Sequence, residues 1–272
     1  MSWATANAGA RRRVLQIFAH QERKAGFIMV PSWLHALSIV WLLLGGVCMI
    51  VIALDLRRHP QHMWIMNVVW PATALFGTVW VLWQYYVYGR LAEHSKAHAA
   101  MQRHEEMPSK AQTPFAVAVA NGALHCGSGC TLGDVCAEWL AFFIPALAVW
   151  LGWHSLFETK MFPVWILDYI FAYAFGIVFQ YFTIAPMRGL SFRDGIVAAV
   201  KADTLSLTAW QVGMYGFMAI AYFVIFRNGF GVRLEANTVE FWFMMQIAML
   251  CGFATAYPVN WWLIRHGFKE RM

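Results

Sequence analysis

Residues 124–138 read LHCGSGCTLGDVCAE, the densest run of reactive side chains in the chain. Cys126 and Cys130 are four apart, His125 adjoins the first, and Gly127, Gly129 and Gly133 lie between and beyond them. Thiolates hold soft Cu(I) or borderline Zn(II), and imidazole commonly joins them. Glycines that loosen the backbone would let both sulfurs and the ring turn toward one ion. Two sulfurs do not complete a zinc tetrahedron, so His125 is the expected third ligand. The competing reading is packing: cysteine is a small apolar residue, and glycine lets membrane helices approach closely. Of the other cysteines, Cys136 falls about 240° round a helix from Cys130, while Cys48 and Cys251 sit inside apolar runs.

Around this motif stand polar residues at membrane depth, which are costly and commonly face a bundle interior or a cavity. Thr131 and Asp134 have the spacing of a helix N-cap and its first-turn carboxylate. Glu138 lies one turn deeper, on the face of Asp134 and Cys130, where it cannot cap. In residues 194–215, Asp194, Lys201, Thr204, Thr208, Gln211 and Tyr215 fall on a stripe about 100° wide at helical spacing. Asp203 and Ser206 point elsewhere, so this helix should be central. Residues 245–260 place Met245, Met249, Gly252, Ala256 and Asn260 within about 80°, with Gln246 beside them; thioethers are possible Cu(I) ligands but more commonly adaptable filling. Asp168, Ala172 and Gly176 form another row, with Gln180 a turn further on. His35, His125 and His266 are expected near one membrane face, which leaves a haem as a weaker option.

The elements that must carry these residues follow from composition. Of 272 residues, 60% are hydrophobic and 12% charged, about half the charged share of a soluble protein. Mean hydropathy is +0.52. That excludes a nucleic-acid binder, a secreted disulfide scaffold and a disordered chain, and predicts an all-α, polytopic membrane helical bundle. Six stretches reach the roughly 20 apolar residues that a bilayer requires: 33–54, 64–88, 132–153, 164–184, 205–226 and 241–264. They organise the chain as a basic tail (1–31), a two-span hairpin (32–88), a polar cytoplasmic helix and linker (89–114) and a four-span unit (115–272). With the N-terminus inside, fifteen of the twenty Lys and Arg fall on the cytoplasmic side. Both termini are thus expected in the cytoplasm, with 11–19 lying on the inner leaflet and no cleavable signal peptide. In this arrangement the net charge of +6 reports topology, and the cysteine motif sits at the cytoplasmic mouth of the third span.

The strings HCGSGCTLGDVCAEW, LDYIFAYAFGIVFQYFTIAPMRGLS, KADTLSLTAWQVGMYG and FWFMMQIAMLCGFATAYPVNWWLI resemble the domain of unknown function 4396 family, multi-span membrane proteins of bacteria and archaea. The resemblance covers about residues 115–272. It implies an integral membrane domain with a His-Cys-Gly-x-Gly-Cys motif, and it transfers no catalytic role. His125, Cys126, Cys130, Asp134, Glu138, Asp168, Gln180, Lys201, Asp203, Gln211, Gln246 and Asn260 fall within the resembling segments.

The sequence therefore leads to a prokaryotic inner-membrane protein that binds a soft metal ion, Cu(I) first and Zn second, with transport of that ion as the further expectation. Cys126, Cys130 and His125 would capture the ion. Glu138, Asp203, Gln211, Met245 and Met249 would line its route. A membrane oxidoreductase passing electrons between the cysteine pair and a quinone or haem is the enzymatic alternative. A non-catalytic subunit of a membrane complex, or a homo-oligomer, is the third.

Overall fold

A computed structural model describes residues 30–270; the basic stretch 11–19 and Arg271 lie outside them. Nine α-helices are numbered here in chain order. Six are long and apolar enough to cross a membrane: α1 (Ser32–Leu56), α2 (Met66–Val87), α5 (Phe115–Phe143), α7 (Met161–Arg188), α8 (Phe192–Ala219, continued as π-helix over Ile220–Phe230) and α9 (Val239–Arg265). Short helices α3 (His94–Gln102), α4 (Pro108–Gln112) and α6 (Ala146–Trp150) occupy the connections. The all-α polytopic bundle expected from composition is the fold.

Length alone does not show the break inside α2. At Thr78 the backbone leaves the helix (φ 45°, ψ −126°), and the chain reverses. In a continuous helix Trp70 and Tyr85 would be about 22 Å apart along the axis; their rings meet at 5.5 Å. Beyond the two arms, His62 N donates to Ala92 O and His94 N to Pro60 O, both at 2.8 Å. Tyr85 OH donates to Asp55 Oδ2 at the end of α1 (2.7 Å). The segment is a helical hairpin. Its first arm, Met66 to Gly77, is about 18 Å long, well short of a bilayer core of about 30 Å. An apolar run of the right total length cannot distinguish one crossing from two half-crossings, which is why 64–88 reads as a span.

This break re-sorts the two faces of the bundle. His35 at the start of α1 meets Glu240 at the start of α9 (2.6 Å), defining a Glu240 face. The end of α9 instead meets the start of α5, where Lys269 Nζ donates to Gly122 O (3.1 Å), defining a Lys269 face. Ser32 and Arg265 consequently lie on opposite faces, against the expectation that the first span begins where the last ends. His35 and His266 are likewise separated by the full thickness of the bundle, so the expected row of histidines at one depth does not exist.

The four-span unit is held by close approach. α5 and α7 run antiparallel in a register where residue numbers sum to 305. A Cβ on Gly129 would lie 3.0 Å from Gly176 N, and one on Gly133 would press on the backbone of Ala172. On another side Gly127 and Gly252 make room for Trp210, a fully buried ring from α8. The glycines of the cysteine motif are therefore packing positions in an unbroken helix, and the expected loosened loop is absent. Thr131 is mid-helix, its hydroxyl donating to Gly127 O (2.8 Å), so Asp134 caps nothing.

Candidate functional site

Because α5 starts at Phe115, seventeen residues before the predicted span, the motif lies inside the bundle. Cys126, Cys130, Asp134 and Glu138 follow one another at four-residue steps, each about 6 Å further along and 40° round. All four are buried. They form one ladder about 18 Å long, aimed at α7 and α8.

At its Lys269 end the contacts are dense. The Cys126 thiol donates to Asp203 Oδ1 (2.6 Å) and lies 3.0 Å from Ser206 Oγ. Lys269 Nζ donates to Cys126 Sγ (2.8 Å) and Asn260 Oδ1 (2.9 Å), and sits 3.8 Å from Asp203 Oδ1. Asn260 Nδ2 completes the knot on Ser206 Oγ (2.6 Å). Lys269 lies past the last predicted span (241–264), where its sequence position gives no sign of the burial seen here. Asp203 and Ser206, which helical arithmetic set off the polar stripe, make the site.

In the middle, Gln211 Nε2 reaches Cys130 Sγ (3.8 Å) and neighbours Asp134. The α5–α7 register puts Asp168 level with Ala137, between Asp134 and Glu138, and Asp168 is within electrostatic reach of both. Neither oxygen of Asp134 or of Asp168 has a hydrogen-bond partner among the described residues. The same holds for both polar atoms of Gln180, for Asp203 Oδ2 and for Gln211 Oε1. A buried carboxylate without partners is stable in a bundle interior only when protonated or when ions or water meet it. At the Glu240 end, Glu138 borders a cavity of about 700 Å³ shared with His154, Glu158 and Lys160.

Other expected site residues take structural roles. Thr208 and Thr204 pair with the hydroxyls of Tyr169 (2.9 Å) and Tyr173 (2.8 Å) on α7, so most of the stripe on α8 is interhelical bonding. Lys201 is exposed and off the ladder. Gln246 donates to Leu75 O at the tip of the helical hairpin. Met245 and Met249 border a cavity of about 320 Å³ together with Gln246 and Asp134, and Met249 Sδ accepts from Trp210 (3.4 Å).

The metal reading meets a specific obstacle in this geometry. His125 is turned away from the cysteines, its Nε2 on Thr183 Oγ1 of α7 (3.0 Å). An ammonium already holds Cys126. Among the described residues no three His, Cys, Asp or Glu side chains are grouped to hold a metal ion. Nor are any cysteines disulfide-bonded among those residues.

The bundle and its buried ladder define a polytopic membrane protein with ionisable groups at bilayer depth. Residues 117–269 match the family described as a domain of unknown function, DUF4396, and the chain belongs to it. No curated protein and no solved structure matched.

Proposed function

We propose that the four-span unit passes protons across the membrane along the Cys126–Cys130–Asp134–Glu138 face of α5. The observation that carries this is the set of partnerless carboxylates strung between an open cavity and the Lys269 knot. Glu138 is the entry group, wetted by the cavity it borders. Asp168 and Asp134 are the next stations, each able to take a proton from one neighbour and give it to the other. Their unpaired oxygens, with Gln180 and Gln211, are where bridging waters would bind, since such waters sit where several buried polar groups lack partners. Asp203, with the Cys126 thiol, receives the proton at the far end. Movement along this path would be gradient-driven or passive.

The distribution of charge supports one membrane sidedness. Of the fourteen Lys and Arg among the described residues, eleven lie towards the Lys269 face and three (Lys160, Arg227 and Arg233) towards the Glu240 face. By the positive-inside rule this bias supports a cytoplasmic Lys269 face in a prokaryotic inner membrane, and the five basic residues of 1–29, which precede α1 in the sequence, weigh the other way.

The test is proton flux in proteoliposomes holding a pH-sensitive dye, driven by a potassium diffusion potential. Wild type should acidify or alkalinise with the imposed sign, and Glu138→Gln, Asp134→Asn and Asp168→Asn should each slow flux at least tenfold. Wild-type flux equal to that of empty vesicles, or unchanged flux in all three variants, would refute the proposal.

A second reading keeps a soft metal ion, Cu(I) or Zn, as cargo. It is favoured by one observation: Asp134 is both on the cysteine face and on the cavity bordered by Met245 and Met249. It requires Lys269 to leave Cys126. Equal metal retention by wild type and a Cys126→Ser/Cys130→Ser variant would remove it. A redox pair is less well served, since Cys126 is engaged by Asp203 and Lys269 and Cys130 by Gln211.

A further inference from the structure

We infer that Gly122, Cys126, Asp203 and Asn260 form a binding site for a primary ammonium ion, occupied in this structure by the side chain of Lys269. The Lys269 ammonium has three N–H donors, and three acceptors meet it: Gly122 O at 3.1 Å, Cys126 Sγ at 2.8 Å and Asn260 Oδ1 at 2.9 Å. Its charge is balanced by Asp203, 3.8 Å away, and both side chains are out of contact with solvent (0% and 1% exposed). A carbonyl, an amide, a thiol and one carboxylate are too few and too soft for Ca²⁺, which takes six to eight oxygens. They suit directed N–H donors.

Two observations separate a ligand site from an ordinary structural anchor. Asp203 Oδ2 is buried against Gly176 and has no hydrogen-bond partner among the described residues, so Lys269 leaves the carboxylate only partly satisfied. Moreover, Lys269 enters alone. His266, Gly267 and Phe268 before it are exposed, the chain turns at Gly267 with φ 76°, and Glu270 is tied to Arg188 on the surface (2.6 Å). The ammonium is thus a tethered occupant on a short surface strap, and once that side chain is truncated a free ammonium or alkylammonium ion could take its place without disturbing a helix.

The site stands whether or not protons move along the ladder, and its test needs no transport. Full-length Lys269→Ala protein in detergent is titrated with methylammonium chloride, with tetramethylammonium chloride at equal ionic strength as control, and unfolding is followed by tryptophan fluorescence. Methylammonium should raise the melting temperature saturably by about 5 °C, tetramethylammonium should not, and wild type should respond to neither. Adding Asp203→Asn to the Lys269→Ala chain should abolish the response. If Lys269→Ala alone aggregates on extraction, the same titration is read as recovery of monodisperse protein. A response absent in Lys269→Ala, or undiminished by Asp203→Asn, overturns the site. Proton flux with no ammonium response would sink this inference and leave the proposed path intact; an ammonium response without flux would do the reverse.

Discussion

Gly133→Ala gives the sharpest test of how the bundle holds its ladder in place. In an unobstructed helix, alanine is favoured over glycine by roughly 0.5–1 kcal/mol. At Gly133 the added Cβ would lie 2.6 Å from Ala172 Cα and at a similar distance from its backbone nitrogen. Ordinary carbon contacts need about 3.5–4.0 Å, so α5 and α7 must part by about 1 Å, and backbone offers no rotamer to absorb it. Overpacking of this kind costs about 1–3 kcal/mol. Set against the helix-propensity gain, the net is a loss of about 1–2 kcal/mol, or roughly 3–6 °C in melting temperature. Gly46 and Gly216 are the internal controls, because nothing stands within 4 Å of a Cβ at either; alanine there should be neutral or stabilising. The assay is thermal unfolding in one detergent for all three variants. A Gly133→Ala protein as stable as Gly216→Ala would refute the close α5–α7 approach, and with it the level placement of Asp168 between Asp134 and Glu138.

Three further outcomes are expected. Thr78→Gly should stabilise the protein by about 1 kcal/mol, since a β-branched residue at φ 45° carries strain of about 1–3 kcal/mol that glycine avoids; a lower melting temperature would argue against the hairpin break. Single cysteines at Arg58 and Arg103, in a chain whose native cysteines are replaced, should react with an impermeant thiol reagent from the same side of sealed vesicles and a cysteine at Glu235 from the other. Labelling of positions 58 and 103 from opposite sides would restore six crossings. Glu93 is held below its ordinary value of 4.5, first by the hydrogen bond from Ser95 and then by His59 and Lys96, against some desolvation. A depressed carboxylate contributes stability above its unfolded value and loses it as pH falls through the folded one. The pairing of residues 60–62 with 92–94 should therefore loosen below about pH 4.5 and loosen at higher pH in Ser95→Ala, read by amide hydrogen exchange of His62 and His94.

Much of the bundle was legible in the chain because membrane insertion writes itself in long apolar runs. The ladder was legible in part: Glu138 could not be explained as a cap, and Asp203 could not be explained by the stripe on its own helix. What failed had physical causes. Glycines in the cysteine motif read equally as loop formers and as contact points, and only the facing Ala172 and Gly176 decide between them. Lys269 looks like any basic residue past the end of a last helix. The reversal at Thr78 leaves no local mark, because it depends on an amide from Gln246 reaching Leu75, 171 residues away.

That last contact bears on the order in which the protein is made. A reversal within the bundle frees backbone carbonyls that water cannot easily serve, and here Leu75 is answered from α9, which follows it by more than 160 residues. Until α9 is in place, that carbonyl lacks the amide that meets it in the folded bundle. The reversal in the second long helix is thereby served by a helix made well after it.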